Sequence, residues 1–222
     1  MTDSNRDFKK IRLRSFFLNQ EKKSKTTEKK EDFEKKIEEV GMEYIQMKLP
    51  LQRITPEYEN EIKKKVENNV YNAKIRQASE NDLNTIINIY NRSWLTSNEP
   101  FAPLSYESIK VLFDDPDIVI LIAKVYGIDA GFIILDIEGK NKEYGVIAGL
   151  GVIPRFQRKG LGKVLGLAGW NYLKKKSKDI KELRCEVYPD NKTSYNFIKS
   201  LGFEEFDRKY YTAENFLQKD KN

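Results

Sequence analysis

The chain has 222 residues and a formal charge of +6, with one cysteine and no histidine. That length supports one domain with a good core plus an extension. The missing imidazoles exclude Ser-His-Asp and Cys-His mechanisms and argue against a zinc site, so no metal is expected.

Charge is uneven from the start of the chain. Residues 1–30 hold ten Lys/Arg against four Asp/Glu, which accounts for the whole formal excess. In residues 8–17 aromatics interleave with Lys/Arg, a pattern found in single-strand nucleic-acid binders. Nucleic acid or the ribosome is therefore one expected partner of this segment. No run reaches membrane-spanning length, and Met1-Thr2-Asp3-Ser4 leads into charge rather than a signal-peptide core. A cytoplasmic protein with no membrane partner is the expectation. Over residues 31–48, Phe33, Ile37, Val40, Tyr44 and Met47 recur at helical spacings, so a helix is predicted there until Pro50 interrupts it. Thr55-Pro56 opens another helix with Tyr58, Ile62 and Val66 on one stripe. Residues 1–72 thus read as a charged, partly helical extension, 73–215 as the main domain and 216–222 as a tail.

Within the main domain, residues 73–78 form a short predicted strand, and Ser79 and Asp82 start a helix whose buried face runs from Leu83 to Trp94. A proline-containing loop follows over residues 95–104, then a second helix over 106–113. Strands are predicted over residues 118–125 and 131–136, joined by a hairpin, and over residues 146–153. Then comes Gln157-Arg158-Lys159-Gly160-Leu161-Gly162, a glycine-rich joint into a helix over residues 161–175. Such a joint offers unpaired N–H groups and the positive end of a helix dipole, which suits phosphate. Arg158, Lys159 and Lys163 add charge around it. A strand over residues 182–188 holds Cys185, read as a core residue. Asp190 or Asn191 caps a helix ending near Gly202, and a last strand lies over residues 206–211.

The string [Gln/Arg]-x-x-Gly-x-Gly after Val152-Ile153-Pro154, followed by a strand, a helix-opening Asn191 and Gly202-Phe203, resembles the GCN5-related N-acetyltransferases (GNAT) over about residues 73–212. The resemblance implies an α/β fold, an α+β mixed sheet of the acyl-CoA N-acyltransferase (GNAT) type. It also implies acetyl transfer from acetyl-CoA to a primary amine by direct attack in a ternary complex. Pantetheine would lie along Leu150, Gly151 and Val152, with backbone N–H of Leu150 or Val152 serving the oxyanion. The pyrophosphate would lie on Gln157, Arg158, Lys159, Gly160, Leu161, Gly162 and Lys163, with Asn191 nearby. Gly149 and Gly151 are costly in a strand and fit a bulge or a closely approaching ligand.

The chain departs from the family at the proton donor. The usual tyrosine, seven residues after the helix-opening Asn, is Ile198 here. Tyr195, one turn earlier, is the substitute, with Tyr188 a further one; the base is reached through a water relay or is Glu186 by default. Trp94, Glu99 and Phe101 border the expected acceptor. An acyl-CoA-binding regulatory module without turnover is the alternative reading.

Overall fold

The computed structural model describes residues 42–67, 72–96 and 104–211. Seven strands form one sheet: β1 (Met42–Pro50), β2 (Lys74–Gln77), β3 (Ile118–Val125), β4 (Ile128–Glu138), β5 (Tyr144–Val152), β6 (Glu182–Val187) and β7 (Glu204–Tyr211). Their spatial order is β2-β3-β4-β5-β6-β1-β7, antiparallel throughout except for the parallel pair β5/β6. Among the described residues five α-helices accompany them: α1 (Pro56–Glu67), α2 (Leu83–Trp94), α3 (Tyr106–Phe113), α4 (Leu161–Lys176) and α5 (Lys192–Ser200).

Strands β3 and β4 are buried almost end to end because helices cover both faces. The adjacent β4 residues Phe132 and Ile133 point to opposite faces. A Cβ built on Gly151 meets Phe132 together with Ser93 of α2, while one built on Gly169 of α4 meets Ile133. So α2 lies on one face and α4 on the other. Helix α1 packs on α4, where Glu59 accepts from Trp170 Nε1 at 2.9 Å and from Lys174 Nζ at 2.7 Å. The β3–β4 hairpin turns through Tyr126 and Gly127, both at positive φ, as the two-residue turn matched to strand twist requires. Strand β4 consequently starts at Ile128 and runs to Glu138, longer at both ends than the predicted 131–136.

The N-terminal side of the sheet corrects the sequence reading. The helical pattern over residues 31–48 gives way, from Met42 onward, to strand β1; the earlier part of that helix lies outside the described residues. Residues 42–50 therefore belong to the sheet and not to an appended extension. The physical cause is the slot between β6 and β7. There Ile45, Met47 and Leu49 are buried on one face, so the alternation Ile45-Gln46-Met47-Lys48-Leu49 outweighs the three-residue spacing of Tyr44 and Met47.

Candidate active site

Strands β5 and β6 are hydrogen-bonded neighbours only from Tyr144↔Glu182 to Ile147↔Cys185, and beyond that point they part. On its other edge β5 stays paired to β4 through Val152, with an extra residue, Ala148, at the register shift between Ile147 and Gly149. The bulge falls where the strands begin to diverge, and bulges re-aim a strand in this way. The parting leaves residues 148–152 without a strand partner on the β6 side. A cavity of about 520 Å³ occupies the gap.

The gap ends at the glycine-rich joint. A 3-10 turn over Pro154–Phe156 leads into Arg158 (φ 58°) and Gly160 (φ 84°), and α4 begins at Leu161. Lys163 N and Val164 N are the first donors turned back into the helix, both to Gly160 O. No side chain caps α4 and no acid stands in its first turn, and Gly160 to Lys163 line the cavity, so its positive end faces the cavity uncompensated. Gln157 braces the loop: its Nε2 donates to Val152 O at 2.8 Å and to Thr96 Oγ1 at 2.9 Å. Gly162 makes room for Phe197 of α5, whose ring lies 3.2 Å from where a Cβ would stand. Asn191 caps α5 by accepting from Ser194 N at 3.1 Å.

Leu150, Gly151, Val152, Gln157, Arg158, Gly160, Leu161, Gly162, Lys163 and Asn191 all line this cavity. Two other predicted residues do not. Lys159 is exposed, and its Nζ reaches Arg155 O at 3.5 Å. Tyr195 donates its hydroxyl to Glu205 on β7, and neither residue is on the cavity wall. The hydrogen bond to Glu205 also raises the Tyr195 pKa. Helical phase explains the outcome: Ser194, Phe197 and Ile198 share the cavity face of α5, and Tyr195 turns toward β7. The structure thus directs the Tyr195 hydroxyl to Glu205 and away from the cavity. Ile198, at the family's tyrosine position, does line the cavity, but it carries no proton.

Gly149 and Gly151 of β5 differ: Gly149 adjoins the bulge at Ala148, as the sequence suggests, whereas Gly151 has a packing cause. At Gly151 an added Cβ would stand 2.5 Å from the Phe132 ring and 2.7 Å from Ser93 Oγ, so packing beneath the strand demands glycine there. At Gly149 the nearest atom is 3.6 Å away, ordinary contact distance.

On the β6 side the wall is formed by Glu186 and Tyr188. Glu186 accepts from Tyr211 Oη at 2.9 Å. Tyr44 of β1 fits between Tyr188 and Tyr211, its ring centroid 5.8 Å from each. Cys185 also touches the cavity, but burial pushes its thiol pKa up, keeping it protonated and unsuited to attack. Trp94 lines the cavity as well, whereas Glu99 and Phe101 lie outside the described residues. Sequence reasoning missed Tyr44 and Glu138. Tyr44 was hidden by its helical spacing. Glu138, buried and on the wall, precedes Gly139-Lys140-Asn141-Lys142 and reads as part of a solvated turn.

Known proteins resemble this chain in sequence and fold. Residues 83–203 match the model of the acetyltransferase (GNAT) family. A mycothiol acetyltransferase of Renibacterium salmoninarum is 40% identical over 67 residues, which cover 30% of this chain and 19% of the relative, so the chain spans about a fifth of that protein's length. Among solved structures, the PaiA N-acetyltransferase of Thermoplasma acidophilum in complex with coenzyme A superposes with a TM-score of 0.51 at 27% identity, covering 63% of this chain and 99% of that one. An aminoglycoside N-acetyltransferase in complex with CoA has the same fold, with a TM-score of 0.52 at 20% identity over 64% of this chain and 93% of that one. The sheet is the mixed α/β sheet of acyl-CoA N-acyltransferases, and with more than half of its length matched, the chain belongs to the GNAT acetyltransferase family.

Proposed function

We propose that this protein transfers an acetyl group from acetyl-CoA to a primary amine by direct attack in a ternary complex. The observation that carries the reading is the parting of β5 from β6 into a cavity that ends at an uncapped helix N-terminus. The residues present fit the cosubstrate. The backbone of Leu150 to Val152 faces an extended ligand, while the left-handed Arg158 and Gly160, the α4 N-terminus and Lys163 suit a pyrophosphate. Acetyl-CoA, when bound, supplies the activated thioester.

The chain's own residues then have three tasks. Backbone N–H groups of Leu150 or Val152 stabilise the developing oxyanion without reorganising. Glu186, next to the last β5/β6 pair and oriented by Tyr211, takes the proton the amine must lose before it can attack. The walls hold the amine at the thioester, and proximity supplies much of the rate. Ile198 offers the leaving group no proton. A thiol with a pKa near ~8.5 departs tolerably as thiolate, so the reaction does not require one.

Ile198 also favours a second reading, an acyl-CoA-binding module without turnover. One pair of measurements separates the two. Acetyl-CoA at a hundredfold above its dissociation constant adds about 2.7 kcal/mol, or roughly 5–10 °C in Tm for a domain of this size. CoA release is then followed with a thiol reagent against a panel of amines. A shift with release supports the transferase, a shift without release supports the binding module, and no shift sinks both.

We take the catalytic domain to run from β1 to β7 and the protein to act in the cytoplasm. Among the described residues no helix is long and apolar enough to cross a membrane. The basic segment 1–30, outside the described residues, serves on this reading as an accessory anchor to nucleic acid or the ribosome. Its deletion should weaken salt-dependent RNA binding, and unchanged binding would discard the anchor.

A further inference from the structure

The two faces of the parted sheet differ in chemistry. On β5, Gly149 and Val146 pair with Ile134 and Asp136 of β4, on the face that α2 covers. Leu150 and Ile147 pair with Ile133 and Leu135, on the face that α4 covers. Strand β6 alternates in step: Cys185 pairs with Ile147 and shares the α4 face, so Glu186 points to the α2 face. An amine that gives its proton to Glu186 therefore attacks from the α2 face.

On the α4 face the gap is apolar. Ile147, Leu150 and Val187 line it from the strands, and Leu161 and Ile198 from α4 and α5. Helix α5 lies on this side because Phe197 abuts Gly162 of α4, and Gly202 beyond it faces Leu49. Among the described residues, the carboxylates on the cavity wall, Glu138 and Glu186, belong to the α2 face, and the cations, Arg158 and Lys163, to the phosphate end. Val187 and Ile198 line the cavity yet are only 4% and 6% exposed, so the slot between them is narrow and closed to bulk water. From Leu150 back to Ile147 the strand runs about 10 Å away from the phosphates, toward the last β5/β6 pair. An acyl carbonyl held by the N–H of Leu150 or Val152 directs its alkyl end along that path. An acetyl methyl occupies only its entrance, and apolar walls without a partner forgo dispersion contacts.

We infer that the acyl group this protein carries extends beyond acetyl to short, straight apolar chains, seated among Ile147, Val187 and Ile198 on the α4 face while the amine enters from the α2 face. The inference rests on the transfer reading above and widens its donor class to acyl-CoAs of the butyryl and hexanoyl kind. The bond changes stay the same: an N–C bond forms, the C–S bond breaks, the amine proton passes to Glu186 and the sulfur leaves with the bonding pair as thiolate. Val187 and Ile198 are specificity residues in this scheme.

The test is calorimetric titration of the full-length protein with CoA, acetyl-CoA, butyryl-CoA, hexanoyl-CoA and succinyl-CoA. Each buried methylene tightens binding by about threefold to fourfold, so butyryl-CoA should bind about tenfold tighter than acetyl-CoA, and hexanoyl-CoA at least as tightly as butyryl-CoA. The heat-capacity change on binding should grow more negative along that series. Succinyl-CoA matches butyryl-CoA in length but ends in a carboxylate, and it should lose the gain. In Ile198→Phe the larger ring fills the slot, and hexanoyl-CoA should bind no better than acetyl-CoA. Equal or weaker binding of butyryl- and hexanoyl-CoA than of acetyl-CoA by the unaltered protein overturns the inference and leaves the transfer reading standing. Succinyl-CoA binding as tightly as butyryl-CoA overturns it too, as does a folded Ile198→Phe that keeps the full gain. If Ile198→Phe does not fold, the titrations of the unaltered protein decide alone. No binding of CoA itself removes the transfer reading and the inference together.

Discussion

A methyl group added at Gly151 would lie 2.5 Å from Phe132, a side chain with no exposed surface. Gly151→Ala should therefore destabilise the protein by about 1–3 kcal/mol, read as a lower midpoint in chemical denaturation. Gly149→Ala, with its nearest neighbour at 3.6 Å, should cost far less, and equal losses would refute the packing explanation. Another residue-scale prediction concerns acid. Arg76 grips Asp82 with two hydrogen bonds of 2.7 and 2.8 Å and holds its carboxyl well below the usual carboxylate range. A depressed pKa contributes stability that is fully present above the unfolded value of about 3.9 and is lost as pH falls toward the folded one. Asp82→Asn should be less stable at neutral pH and show a flatter decline in stability below pH 4 in acid titrations of unfolding. Single residues were also where the sequence was least legible. Asn191 and Gly202 announced their backbone roles through chemistry that only those positions need, and the structure has them as cap and left-handed terminator. Tyr195 and Glu138 depended on which way a side chain turns, and that is set by neighbours far away in the chain.

At the scale of elements, the strand-to-helix joint before α4 is the most exacting. Gly160 stands at φ 84°, a conformation a β-branched residue adopts only under strain. Gly160→Val should stay folded and lose the thermal shift given by CoA; a folded variant that binds CoA as before would show the cradle to be misassigned. The joint was legible because glycine spacing, flanking strand and following helix are all local signals. The strand β1 was not, since its two periodicities compete and only the gap between β6 and β7 chooses between them. Its contribution to stability is testable. Met47 is fully buried, and Met47→Ala should cost about 2–5 kcal/mol in denaturation, as a buried sheet residue does and a residue on a solvated extension does not.

For the molecule as a whole, the sheet and the cavity are inseparable: the same divergence of β5 and β6 that interrupts the ladder creates the binding space. Strand β1 adds a consequence in time. It leaves the ribosome first of the seven, yet both strands that flank it come last, as the pairs Pro50↔Glu182 and Met42↔Tyr211 record. At ~5–20 residues per second its backbone waits on the order of ten seconds for a partner. In ribosome-arrested nascent chains ending before Glu182, residues 42–50 should be open to protease, and they should become protected only once β7 has emerged. Every newly made copy thus passes through an interval in which an apolar strand is unpaired and exposed to off-pathway pairing.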